Sequence, residues 1–192
     1  GDGAVSASSS ATGVATVSVS GTTVTVTPVA VGTTTITVNV ADGTNYTANS
    51  KTFTVTVNKL KLAVPSQSGS LTYNGSSQSP SWSNYNTTYM TIGGTQSGTN
   101  ATSYSATFTL KDTANTCWND SSSSTTAKTV AWTIDASGAA NITLNPTSLT
   151  FTYKDAAKTV AVTRDGDGAV TAKSSATGVA TVSVSGTTVT VT

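Results

Sequence analysis

The sequence contains no histidine and no glutamate; its eight acidic residues are all aspartate. Without imidazole or glutamate, most general acid–base chemistry, the histidine-dependent triads and ordinary zinc sites lack the residues to build them. The chain is therefore expected not to be an enzyme, and no cofactor or metal is expected. Charge is scarce as well, at 9% of 192 residues, and nine basic against eight acidic side chains leave a net charge of +1. A chain so near neutrality has no electrostatic reach toward nucleic acid or anionic lipid, so neither is expected as a partner. No apolar run approaches the roughly 18 residues that cross a bilayer as a helix, so no membrane insertion is expected. Cysteine occurs once, at Cys117, which excludes an internal disulfide. No basic cluster lies near it in sequence to activate the thiol.

What fills the space is hydroxyl. Serine and threonine make up about 37% of the chain. Threonine is β-branched and stiff at its first torsion, so it favours strands, and both residues solvate a surface without charge. Low charge with much threonine predicts an exported, extracellular β-protein.

Residues 1–27 and 166–192 are almost the same sequence, differing only at Ser6 against Thr171 and Ser8 against Lys173. Such identity predicts an array with a period of 165 residues. The chain opens on Gly1 rather than Met and stops inside a second copy of its own beginning, so it is expected to be one window on that array. Joining the end to the beginning makes one module of 138–165 followed by 1–58. The expected domains are thus 1–58, the C-terminal part of one sandwich; 59–137, a complete sandwich; and 138–192, the N-terminal part of the next. The matching expectation for partners is neighbouring repeats of the same protein, with head-to-tail self-association of the incomplete ends.

Strand signals are dense. Val17 and Val19 alternate with serine, Gly21 and Thr22 turn the chain, and Val24 and Val26 alternate with threonine: a hairpin with one apolar and one hydroxyl face. Ile36, Val38 and Val40 repeat the pattern, as do Phe53, Val55 and Val57, with a turn predicted at the Asp42–Gly43 pair. Further strands are expected at Ile142 and Leu144, at Leu149 and Phe151, and at Val160 and Val162. No helical period is evident. The fold class is all-β, read as tandem immunoglobulin-like β-sandwiches in a repeat array.

Three runs carry a resemblance: AsnIleThrLeuAsnPro at 141–146, SerSerAlaThrGlyValAlaThrValSer at 174–183 and ValGlyThrThrThrIleThrVal at 31–38. Together they resemble the bacterial immunoglobulin-like domain, group 2. The segments LeuThrTyrAsnGlySerSerGlnSerPro at 71–80, AsnAlaThrSerTyrSerAlaThrPheThrLeuLysAsp at 100–112 and AlaTrpThrIleAsp at 131–135 are similar to a mucin-binding-glucan-type β-domain of bacterial surface proteins. These resemblances imply a long bacterial surface or fibre protein, cellular or phage-borne.

The candidate binding residues are Trp82, Tyr85 and Tyr89, set among serine and asparagine. Rings beside amides and hydroxyls suit a glycan, whose apolar C–H faces stack on aromatic surface. The competing reading, favoured on composition, puts them in the core, because a chain this poor in leucine needs its aromatics inside. Trp132 lies on a period-two strand between Val130 and Ile134 and is read as core. The loop 164–168, ArgAspGlyAspGly, offers too few oxygens for calcium and is read as a turn. The function expected is a structural stalk or fibre shaft that holds an adhesive or other tip away from a surface; the alternative is a carbohydrate-binding adhesion module.

Overall fold

A computed structural model describes residues 2–192. Among these residues there is no helix; the chain is all-β, with its strands in several small sheets. It divides into two compact units, the first ending at Ala136 and the second running Ser137–Thr192.

The first unit begins with β1 (Val5–Ser9), β2 (Ala15–Ser20), β3 (Thr23–Pro28), β4 (Gly32–Val40) and β5 (Asn49–Val57). The expected hairpin is β2–β3, with Val17 opposite Val26 and Val19 opposite Val24. Its valines are half-buried and its hydroxyls exposed. Gly21 turns it at φ 61°, a left-handed value that fits the first central residue of a two-residue loop. β4 is the centre of a three-stranded antiparallel sheet, with β1 on one side and β5 on the other. Ala15 and Ile36 are fully buried. The Asp42–Gly43 pair lies in the β4–β5 connection, where Ala48 N donates to Asp42 Oδ1 at 2.6 Å.

The unit continues with β6 (Leu60–Leu62), β7 (Ser66–Ser68), β8 (Leu71–Thr72), β9 (Ser81–Ser83), β10 (Met90–Gly94), β11 (Ser103–Leu110), β12 (Thr116–Trp118) and β13 (Lys128–Asp135). Four of these form a sheet in the order β10–β11–β13–β8. The pairs β6–β12 and β7–β9 form two smaller ladders. The inward residues of β10, β11 and β13 recur at period two. They are Met90, then Ala106, Phe108 and Leu110, then Trp132 and Ile134, and with Trp118 they form the core cluster. The sequence boundary at 58/59 falls inside this unit, where Val31 N donates to Asn115 Oδ1 at 2.8 Å.

The second unit is one antiparallel sheet, β14 (Ile142–Asn145), β15 (Lys158–Arg164), β17 (Thr188–Val191) and β16 (Val182–Ser185), hydrogen-bonded in that order. The strand expected at Leu149 and Phe151 does not form; that stretch is irregular. Pro146 cannot donate to a ladder, and Asp155 folds the segment back on itself. Its carboxylate accepts from Thr152 N at 2.9 Å and from Lys158 Nζ at 3.3 Å, and that ammonium stands 4.7 Å over the Phe151 ring.

Candidate functional site

The three aromatic candidates separate. Trp82, on β9, and Tyr85, just after it, are half-buried and meet Phe108 edge-on, with centroids 4.9 Å and 5.4 Å away. Both pack against the core cluster. Tyr89 is 36% exposed. Trp132 is buried, stacks on Tyr104 at 4.5 Å, and its Nε1 donates to Thr95 O at 2.8 Å. The period-two reading placed it correctly. Trp118, which sequence reasoning left unassigned, is fully buried and its Nε1 donates to Thr126 O at 2.7 Å. Cys117 beside it is buried.

The loop 164–168 uses its first carboxylate locally: Asp165 accepts from Asn141 N and Nδ2 at 2.7 Å each. Those bonds, the side-chain one first, hold its pKa below the usual value despite some desolvation. Among the described residues no three His, Cys, Asp or Glu side chains cluster as metal ligands would.

The feature that stands out is an open apolar groove on the second unit, with a volume of about 420 Å³. Ile142, Leu144, Val160 and Val162 line it from β14 and β15, and Val170 from the segment before β16. Arg164 also lines it, with Nε and Nη1 buried and without a hydrogen-bond partner among the described residues.

The first copy of the repeated segment provides a reference for this groove. The two copies agree where both form a hairpin: Val182 faces Val191 and Val184 faces Val189, the register of β2–β3 one period on. They differ wherever β4 adjoins the first copy. Val5–Ser9 form β1 against β4, from Val5↔Val40 to Ser9↔Ile36, but 170–174 form no strand. Val14 is half-buried, whereas its counterpart Val179 is 87% exposed. Thr34 of β4 is 2% exposed and serves as a polar hub. Its Oγ1 takes Ala11 N at 3.0 Å and lies 2.9 Å from Ser9 Oγ and 3.1 Å from Ser10 Oγ. Near β1, Asn45 donates to Asp2 Oδ2 from both N and Nδ2, at 3.1 Å each. Desolvation raises the pKa of Asp2, and hydrogen bonds from its own backbone amide, from Asn45 and from the Thr44 backbone together outweigh it and hold the pKa low. The counterparts Ser174, Ser175 and Asp167 have no such partners from a β4.

The two substitutions between copies are informative in this setting. Ser6 and Ser8 are the exposed, outward positions of β1, so every inward position of the repeated segment is the same in both copies. Sequence reasoning missed Thr34, although the period-two pattern through Ile36 and Val38 already put it on the inward face. No protein family, no curated protein and no solved structure matches this chain.

Proposed function

We propose that the chain is a segment of the shaft of an extracellular repeat protein. Immunoglobulin-like sandwiches, similar to the bacterial group 2 domain, alternate in it with a second β-module at a period of 165 residues. The role is non-catalytic: it extends an adhesive or other tip away from a surface.

The observation that carries this reading is the strand order of the repeat. Read through the shared segment, β14 and β15 come first, followed by β1 to β5. β15 pairs with β17, which is β3 one period on. With β3 and β2 set in the places of β17 and β16, the seven strands of one repeat would sort into β14–β15–β3–β2 and β1–β4–β5. Lettered A to G in chain order, these are the sheets ABED and CFG, the arrangement of a constant-type immunoglobulin sandwich. Neither copy holds all seven strands; a neighbouring repeat would supply the rest. A hydroxyl-rich, nearly neutral surface keeps a long array soluble without charge.

Scattering and electron microscopy of chains of one, two and three periods test the reading. Each period should add a constant length on the order of 60 Å, two modules of about 30 Å each, the span of a nine-residue strand. Chains that stay compact as periods are added would contradict it. The carbohydrate-binding alternative has less support, because Trp82 and Tyr85 turn toward Phe108 and leave Tyr89 the most exposed of the three rings.

A further inference from the structure

We infer that the stretch from β6 to β13 resists tension along the chain, its first and last strands held by ladders loaded in shear, and that this resistance is a further function of the shaft. The shaft reading supplies the source of the tension; the clamps follow from the ladders alone.

Among the described residues two ladders are parallel, β6 with β12 and β8 with β13. Every other pairing among them is antiparallel. The difference decides how a pull on the chain ends reaches the bonds. Tension enters the earlier strand of a pair at its N-terminal end and the later strand at its C-terminal end. In an antiparallel pair those two ends lie side by side, so the strands peel apart one bond at a time. In a parallel pair they lie at opposite ends, so the strands are drawn past each other and all the bonds between them are loaded together. β6 is the first strand of its stretch and β13 the last. Tension arriving from either side therefore meets a sheared ladder. Forced unfolding is governed by the unfolding rate, and bonds that must break together raise the barrier that sets it.

Both clamps extend beyond their short strands. Leu60, Lys61 and Leu62 face Thr116, Cys117 and Trp118. At the two ends of that ladder Leu60 N donates to Asn115 O at 2.9 Å and Asn119 N to Leu62 O at 2.7 Å. β12 is buried along its whole length, and in so dry a setting its hydrogen bonds are stronger than in water. Trp118 ties β12 to the segment before β13, N to Ser124 O at 2.9 Å and Nε1 to Thr126 O at 2.7 Å. In the second clamp Leu71 and Thr72 face Ile134 and Asp135, and Tyr73 N donates to Asp135 O at 2.8 Å. Ile134 N donates the other way, to Thr102 O at 3.1 Å. Thr133 and Asp135, on either side of it, therefore both present N–H and C=O away from β11. Gln67 of β7 takes up the Thr133 groups: Thr133 N donates to its Oε1 at 2.8 Å, and its Nε2 donates to Thr133 O at 3.0 Å. The side-chain amide stands in for a strand residue and lengthens the ladder that holds β13.

The test pulls one protein in two directions by single-molecule force spectroscopy. The full chain carries Thr88→Cys/Lys111→Cys and a tether at each chain end; Cys117 is buried and stays unlabelled. Positions 88 and 111 are exposed and flank the open mouth of the antiparallel β10–β11 pair, where Met90 faces Leu110, so a pull there peels. Pulled by its ends, the chain should show a high-force event that releases roughly 240 Å, the extended length of residues 60–135 less their folded span. Pulled at the mouth, the same protein should yield at lower force. Gln67→Leu should lower the end-pulled force and leave the mouth-pulled force unchanged. Gln67→Asn, one methylene too short to reach both Thr133 groups, should do the same and covers a failure of the leucine variant to fold. Equal forces in the two directions, or a Gln67 variant that lowers both alike, would overturn the clamps. If the forces are equal while longer chains still lengthen by a constant step, the clamps fail and the shaft reading stands.

Discussion

At the scale of single residues, stability is concentrated in a few large side chains and a few carboxylates. Trp118→Ala should cost about 3–5 kcal/mol, because a fully buried indole leaves a cavity. Trp82→Ala, half-buried beside Phe108, should cost less, about 2–3 kcal/mol, and Tyr89→Ala under about 1 kcal/mol. Urea midpoints rank the three. A Trp82→Ala protein of unchanged stability that had lost affinity for a polysaccharide would instead favour the glycan reading. The carboxylates set the pH dependence. Lys128, and after it Ser122, hold Asp120 well below its usual pKa through hydrogen bonds, with Lys128 Nζ at 2.6 Å. Asn115 does the same for Asp112, and for Asp155 the Thr152 backbone comes first and Lys158 second. A folded-state pKa below the unfolded value near 3.9 gives stability that is fully present above that value and lost as pH falls through the folded pKa. With no histidine, no side chain at its ordinary pKa titrates between about pH 5 and 8. The urea midpoint should therefore be flat from about pH 5 to 7 and fall below about pH 4, and a step near pH 6 would contradict this.

At the scale of elements, the hairpin is the unit that repeats. Gly21 and Gly186 sit at φ 61° and 60°, and a Cβ on either would meet nothing within 4 Å. Their cost on substitution is purely conformational: Gly21→Ala and Gly186→Ala should each cost about 1–2 kcal/mol. Amide exchange should quicken over 15–28 for the first and over 182–191 for the second; unchanged exchange in either hairpin would show that the turn does not depend on its glycine. Much of this layer was legible in the sequence. Apolar residues at every second position, mostly alternating with serine or threonine, marked β2, β3, β4, β5, β14 and β15, because the period of two is unambiguous in each. Leu149 and Phe151 read as a strand by the same rule and are not one, since Pro146 and the Asp155 turn act through hydrogen bonds that hydrophobic period does not register. The aromatic candidates were legible only as a choice between core and surface. The contact with Phe108 that decides for Trp82 and Tyr85 links residues more than twenty positions apart, and spacing along the chain carries no trace of it.

At the scale of the whole molecule, the repeat itself explains why nearly the same sequence, at 2–27 and at 167–192, adopts two states. Beside β4 it includes a strand, and without β4 residues 170–174 do not form one and Val179 is left exposed. The difference lies in the neighbour, because the inward residues are the same. A chain lengthened at its C-terminus by one period places a β4 after residue 192, and amide exchange then reads the central claim directly. The account predicts that the amides of Thr171 and Lys173, fast in the 192-residue chain, slow to the rates of Ser6 and Ser8 in the longer one. If 170–174 exchange as fast in the longer chain as in the shorter, the repeat is not one sandwich divided between neighbouring copies.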